Sequence, residues 1–219
     1  MSNISNNEHR LRLYLNILYD RHNLDSIYAL LSFLQDRNIA QMIDPILLSP
    51  TKPILKNNQV QDSRFGQAQE ANVRLQLIET ILRQGFRMPY ELEYHLCTMK
   101  QKNSFVLTPD GAIYKCISGV GKDPFYIGDM AFEVDPFEAE YLLVEEFLDP
   151  QCRNCKYSPI CYTNCRFESH VLYDLEKKEC RRVYFDSFVP GYLRLLMNGE
   201  LRENIVFDAT KYEWIRSYS

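Results

Sequence analysis

The chemistry open to this chain of 219 residues lies in its sulfur. Its seven cysteines are Cys97, Cys116, Cys152, Cys155, Cys161, Cys165 and Cys180, and none precedes residue 97. Four of them crowd into CRNCKYSPICYTNC, the fourteen residues from 152 to 165. Cysteines used as small core residues scatter through a chain, whereas these are segregated. Thiolates repel one another and are costly to bury unless a cation offsets their charge. A metal ion or an iron–sulfur cluster is the simplest offset. Structural zinc favours two facing knuckles, but the chain has a single Cys-x2-Cys, and the next histidine after it is His170. Iron–sulfur clusters accept looser spacings. Cys165 follows Cys161 too closely for every thiol of the loop to serve one centre comfortably, so two centres sharing the loop fit better.

The bulk composition narrows the setting. With 46% hydrophobic and 25% charged residues the chain is ordinary globular material, enough for one large domain or two small ones. The net charge of −4, the pI of about 5.6 and the lack of a Lys/Arg run exclude an obvious nucleic-acid or anionic-membrane partner. The leader MSNISNNEHR has no apolar core of a secretory signal, and no apolar run approaches the ~20 residues of a membrane span. The expected location is therefore cytoplasmic, where thiols stay reduced and clustered cysteines mean metal more often than disulfide.

The elements that must position the thiols read as follows. LRLYLNIL (11–18) is strand-like. LDSIYALLSFLQDRNI places Leu24, Ile27, Leu30, Leu31 and Leu34 at helical spacing, with Asp25 and Ser26 suited to its first turn. MIDPILLSP (42–50) is a second strand, and Pro45 argues for an edge or a bulge in it. Residues 51–66 are polar and expected to be a loop, and VRLQLIETILRQG (73–85) is expected to be a helix stopped by Gly85. Strand, helix, strand, helix predicts parallel βαβ architecture. Beyond residue 87 the pattern changes. FVLTPDGAIYKC (105–116) predicts a hairpin about Pro109-Asp110-Gly111, with Gly111 supplying a positive φ. FYIGDM (125–130) adds a strand edge, PFEAEYLLVEEFL (136–148) a short helix, and LEKKECRRVYFDSF (175–188) a helix around Cys180. The aromatic-rich tail shows no clear period. The expected division is residues 1–87 and residues 88–219.

The order Cys97, thirteen residues, Gly111, four residues, Cys116, then Cys152-x2-Cys155-x5-Cys161-x3-Cys165, then Cys180 resembles the seven-cysteine signature of SPASM domains. These are C-terminal extensions of radical SAM enzymes that mature peptides and proteins. All seven cysteines and the glycine fall in register, and no cysteine is left over. The resemblance implies two auxiliary [4Fe-4S] clusters. Cys97, Cys116 and Cys165 would bind the first; Cys152, Cys155, Cys161 and Cys180 would bind the second. The first cluster then lacks a fourth cysteine. Glu91, Glu93 and His95 lie close enough in sequence to substitute, although as solvated loop residues they need no such role. Upstream, residues 11–50 look like the later strands and helices of a radical SAM barrel, with Asn23, Asp25, Ser26 and Ile27 a loose match to a turn there. The fold class implied is α/β: a partial parallel (β/α) barrel fragment followed by a loop-rich α+β SPASM-like iron–sulfur domain.

The chain departs from that family in one respect. No Cys-x3-Cys-x2-Cys is present, because the third residue after Cys165 is Glu168. S-adenosylmethionine cleavage by this chain alone is therefore not expected, nor an S-adenosylmethionine site in it, and no catalytic residue carries over. Implied partners are a chain supplying the missing N-terminal radical SAM half and a peptide or protein substrate. Two other readings stay open: a non-catalytic binding or scaffold module, and a structural zinc protein. Tyr114, Tyr157, Tyr162 and Tyr173 flank the thiols and are expected to shield and pack rather than relay electrons. Arg153, Lys156, Arg166, Arg181 and Arg182 also lie near cysteines, where they offset cluster charge or face solvent. His170 is expected to be a surface or hydrogen-bonding residue.

Overall fold

The first expected strand forms as β1, Leu13–Tyr19, in the computed structural model, which describes residues 13–39, 42–56, 59–92, 97, 99, 104–131, 150–161, 165–173 and 180–206. Its side chains alternate: Ile17 and Tyr19 are buried, Asn16 and Leu18 exposed. Helix α1, Leu24–Asp36, buries Ile27 and Leu31, one turn apart. Asn23 precedes it without capping it. The Asn23 amide instead shapes the turn out of β1, donating to Leu18 O and accepting from Asp20 N–H, each at 2.9 Å.

Strand β2, Ile43–Pro50, runs parallel to β1, from Leu15 opposite Ile46 to Tyr19 opposite Pro50. The register is irregular between Leu13 and Leu15, opposite the stretch that contains Pro45. A residue without an N–H interrupts a ladder there, as its position suggested. The expected loop 51–66 instead contains β3, Ile54–Lys56, and β4, Gln59–Gln61, which form a two-stranded sheet. Helix α2, Gln67–Arg83, starts at Gln67 rather than Val73 and ends before Gly85, whose φ of +79° suits a glycine stop. Next comes β5, Met88–Pro89, and Ile46 N–H donates to Arg87 O at 2.8 Å, joining β2 to the chain entering β5.

The described part of the tail that lacked a readable period, residues 189–206, is mostly helical. Helix α5, Arg182–Met197, and α6, Gly199–Arg202, lead to β9, Ile205–Val206, which pairs in parallel with β5. Tyr184, Phe188 and Tyr192 recur every fourth residue and stack at 5.2 and 5.4 Å along one face of α5. Helix α5 packs on α2, and an added Cβ at Gly191 would stand 2.4 Å from Leu75 Cδ1, so glycine permits the close approach. The helix expected around Cys180 begins only at Arg182; residues 174–179 and the expected helix 136–148 lie outside the described residues.

The result is a mixed helix-and-strand molecule in two units. The first spans Met1–Ile54, Gln61–Glu91 and Arg182–Lys211, and the second Leu55–Val60, Leu92–Arg181 and Tyr212–Ser219. Residues 182–206 therefore belong with the N-terminal unit, not with the cysteine-bearing piece to which 88–219 had been assigned. The physical reason is the aromatic face of α5, which needs α2 to cover it, and β5, which needs β9 to pair with. No helix among the described residues is long and apolar enough to cross a membrane.

A buried ion pair sits at the ends of the strands. Arg74 donates to Glu91 Oε2 at 2.8 and 2.6 Å, to Leu48 O at 3.1 Å and to the Tyr19 hydroxyl at 3.2 Å. Glu91 N–H in turn donates to the Tyr192 hydroxyl at 3.0 Å. One guanidinium thus joins β1, β2, α2 and the chain beyond β5. Arg74→Met leaves Glu91 buried without its cation, and we expect a loss of about 3–5 kcal/mol in urea-unfolding stability.

Burial pushes the hydroxyl pKa values of Tyr19, Tyr184 and Tyr192 above the ordinary 10.0, with Arg74 pulling each back in part. The unfolded chain releases these protons near pH 10 while the folded chain keeps them. Their contribution is therefore complete below about pH 10 and is lost as pH rises beyond it. The thermal midpoint is expected to fall above about pH 10, and Tyr184→Phe to make the fall shallower.

Candidate metal centre

All seven cysteines lie within Leu92–Arg181 of the second unit, and none is in a disulfide. The chain re-enters the first unit at Arg182, just past Cys180.

The predicted hairpin positions Cys116. Strands β6, Val106–Leu107, and β7, Ala112–Tyr114, pair antiparallel, Val106 opposite Tyr114. Gly111 between them has a φ of +92°, the left-handed region that favours glycine. Strand β8, Tyr126–Asp129, adds to the other side of β7, as expected for 125–130. Cys116 follows β7 and is buried, and its carbonyl accepts from Gly119 N–H at 3.0 Å in the tight turn Ile117–Gly119.

Helix α3, Pro150–Arg153, and α4, Arg166–Tyr173, carry or flank the clustered thiols. Cys165 directly precedes α4, with its carbonyl accepting from Ser169 N–H at 2.9 Å in the first turn. Phe167 and Val171 are buried four residues apart on α4. They share one apolar core with Met99, Phe125, Ile127 and Cys116, and Cys165 packs against it. Cys116 and Cys165 are remote in sequence but border the same core. Cys97 is exposed and lies two residues before Met99, which belongs to that core.

Cys152, Cys155 and Cys161 sit in a run of tight turns. Cys155 N–H donates to Cys152 O at 3.2 Å, Ser158 N–H to Cys155 O at 3.0 Å, and Cys161 N–H to Tyr157 O at 2.7 Å. Each carbonyl bond reverses the chain within three or four residues, so the three thiols stay in one short coil. The Tyr157 ring is buried beneath Lys156 Nζ, 4.7 Å from its centroid. Cys180 is exposed, two residues ahead of α5.

Other expected residues resolve differently. Glu91 is committed to Arg74 in the first unit, which removes it as a fourth ligand; Glu93 and His95 lie outside the described residues. The His170 ring is half-buried and meets Phe125 edge-on at 5.4 Å, adding packing to the surface or hydrogen-bonding role expected of it. Tyr114 packs edge-on to Tyr126 at 5.7 Å. Tyr162 lies outside the described residues. Arg182 stands 3.8 Å from Asp186 on α5. A cation that charge reading passed over is Lys115, fully buried beside Cys116, with burial pushing its pKa down.

Among the described residues, no three His, Cys, Asp or Glu side chains stand together as a ready ligand set for a metal ion. The donors nevertheless suit an iron–sulfur group in kind. They are thiols, and two of the three assigned to the first cluster border one apolar core. Comparison of the sequence with known family models finds no match, and no curated protein matches it.

The turn that carries Cys116 has no spare room. An added Cβ at Gly119 would lie 2.4 Å from Phe125 Cγ and 2.7 Å from its Cβ, and Phe125 is enclosed. Gly119→Ala is expected to destabilise this unit by about 1–3 kcal/mol, read as a lower urea midpoint at unchanged m-value.

Proposed function

We propose that the second unit is an iron–sulfur module similar to the SPASM domains, holding two auxiliary [4Fe-4S] clusters. Cys97, Cys116 and Cys165 bind the first, and Cys152, Cys155, Cys161 and Cys180 the second. The observation that carries this reading is that every thiol of the chain falls in one unit while two distant ones, Cys116 and Cys165, border one core. The tight turns from Cys152 to Cys161 support the second set, and a reducing compartment suits cysteines that form no disulfide.

When bound, such clusters pass single electrons or hold a substrate group. The chain's own residues supply the setting. Phe125, Ile127 and Phe167 keep water from the core beside Cys116 and Cys165, and a dry setting shifts cluster potentials. The first unit is read as a partial (β/α) barrel, the late part of a radical SAM fold. The reaction class is maturation of a peptide or protein side chain, with a further chain supplying the half that cleaves S-adenosylmethionine. The absence of Cys-x3-Cys-x2-Cys favours a second reading, a non-catalytic module that holds a peptide or a partner enzyme.

Anaerobic reconstitution followed by iron and sulfide analysis tests the proposal. Two cubanes require about eight irons per chain, and fewer than about six would sink the two-cluster reading. Zinc in place of iron would select a structural zinc protein. Cys116→Ser and Cys155→Ser are each expected to lower the iron content, by attacking different clusters. Release of 5′-deoxyadenosine from S-adenosylmethionine by the chain alone would overturn the non-catalytic reading.

A further inference from the structure

Two of the clustered cysteines are held close by the backbone alone. Cys155 N–H donates to Cys152 O at 3.2 Å, which closes a tight turn. Such a turn keeps its end Cα atoms within about 7 Å of each other. A disulfide spans about 4.4–6.8 Å between Cα atoms, so bridging this pair needs no large movement of the chain. Both residues are half-buried, and neither is sealed from solvent. The turn is also anchored: Ser158 N–H donates to Cys155 O at 3.0 Å, and Tyr157 between them is buried. The other five cysteines are placed differently. Cys161 belongs to the following turn, its N–H donating to Tyr157 O at 2.7 Å. Cys116 is buried, Cys165 packs against the apolar core, and Cys97 and Cys180 lie exposed on other segments.

We propose that Cys152 and Cys155 form a dithiol switch. In the metal-free chain a low-molecular-weight disulfide such as oxidised glutathione closes them into a disulfide, which withholds both from the second cluster. One thiolate attacks a sulfur of oxidised glutathione, forming a mixed disulfide and releasing the first glutathione thiolate. The other protein thiolate attacks the protein-side sulfur of that mixed disulfide and releases the second. Two protons and two electrons thus pass from the cysteine pair to glutathione, and a dithiol reductant reverses the exchange. The effect on cluster loading rests on the iron–sulfur reading; the linkage itself does not.

The test incubates the full metal-free chain, without oxygen, in mixtures of reduced and oxidised glutathione. Iodoacetamide then blocks the remaining thiols, and peptide masses locate the bridge. A loss of about 2 Da is expected on the peptide holding Cys152 and Cys155, with the other five cysteines alkylated. Cys161→Ser should leave that bridge unchanged, and Cys155→Ser should abolish it. Reconstitution of the oxidised chain is expected to give about four irons in place of about eight, restored by dithiothreitol. A scrambled set of bridges, a bridge to another cysteine or a lasting glutathione adduct overturns the switch and leaves the two-cluster reading standing. So does a Cys152–Cys155 bridge that leaves iron uptake unchanged. A reduced chain that takes up no iron overturns the two-cluster reading and the loading role together.

Discussion

The cysteine-bearing unit depends on the enclosure of one ring, that of Phe125. The ring has no exposed surface, contacts Phe167 at 6.0 Å and His170 at 5.4 Å between centroids, and shares a core with Cys116, Ile127 and Val171. Its backbone is tied in as well, accepting from Lys115 N–H and donating to Lys122 O. Through these contacts the β6–β7–β8 sheet and helix α4 become neighbours. The segment with Cys116 and the segment with Cys165 have no local reason to meet; apolar burial of about 25 cal/mol per Å2 is what brings them together. Any shared ligand of those two thiols would use a proximity that the hydrophobic core already supplies.

The first unit solves a different problem. Its strands β5 and β9 are two residues each, too short to hold a sheet by ladder bonds alone. Arg74 compensates by bonding at once to groups from β1, β2 and the chain after β5. A buried charge is a poor source of net stability, but it is exacting about geometry, because losing either partner leaves the other stranded. The same network engages α5 through Tyr192, and so makes the chain's return after the cysteine region part of the first unit.

Legibility from sequence followed the range of the interactions involved. The strand at 13–19, the helix at 24–36, the helix from Val73 onward, the bulge near Pro45 and the hairpin about Gly111 were readable because periodicity and turn chemistry are local. Helix α5 was read only as far as residue 188, and its continuation to Met197 was missed, although Tyr184, Phe188 and Tyr192 recur every fourth residue. Aromatics have weak helix propensity, Pro190 lies among them, and the face makes sense only once α2 covers it. The commitment of Glu91 to Arg74 and the burial of Lys115 were not legible, because ion pairing and burial between sequence-distant groups leave no spacing signature. The cysteine pattern itself was the clearest local signal, and Cys116 and Cys165 border one apolar core.

The second unit has little core of its own. Its described core consists of Met99, Cys116, Phe125, Ile127, Phe167 and Val171, with sheet strands of two to four residues around it. Cores of that size contribute little beyond the conformational entropy they must overcome, and small loop-rich units commonly rely on disulfides or metals as staples. The cysteines here form no disulfides. Coordination of Cys97, Cys116 and Cys165 would close two long loops, and coordination of Cys152, Cys155, Cys161 and Cys180 would close a third. Loop closure removes freedom from the unfolded chain whatever the linking chemistry. If a metal were bound there, its binding free energy would be folding free energy, and the cysteines would serve the architecture of the unit before any electron.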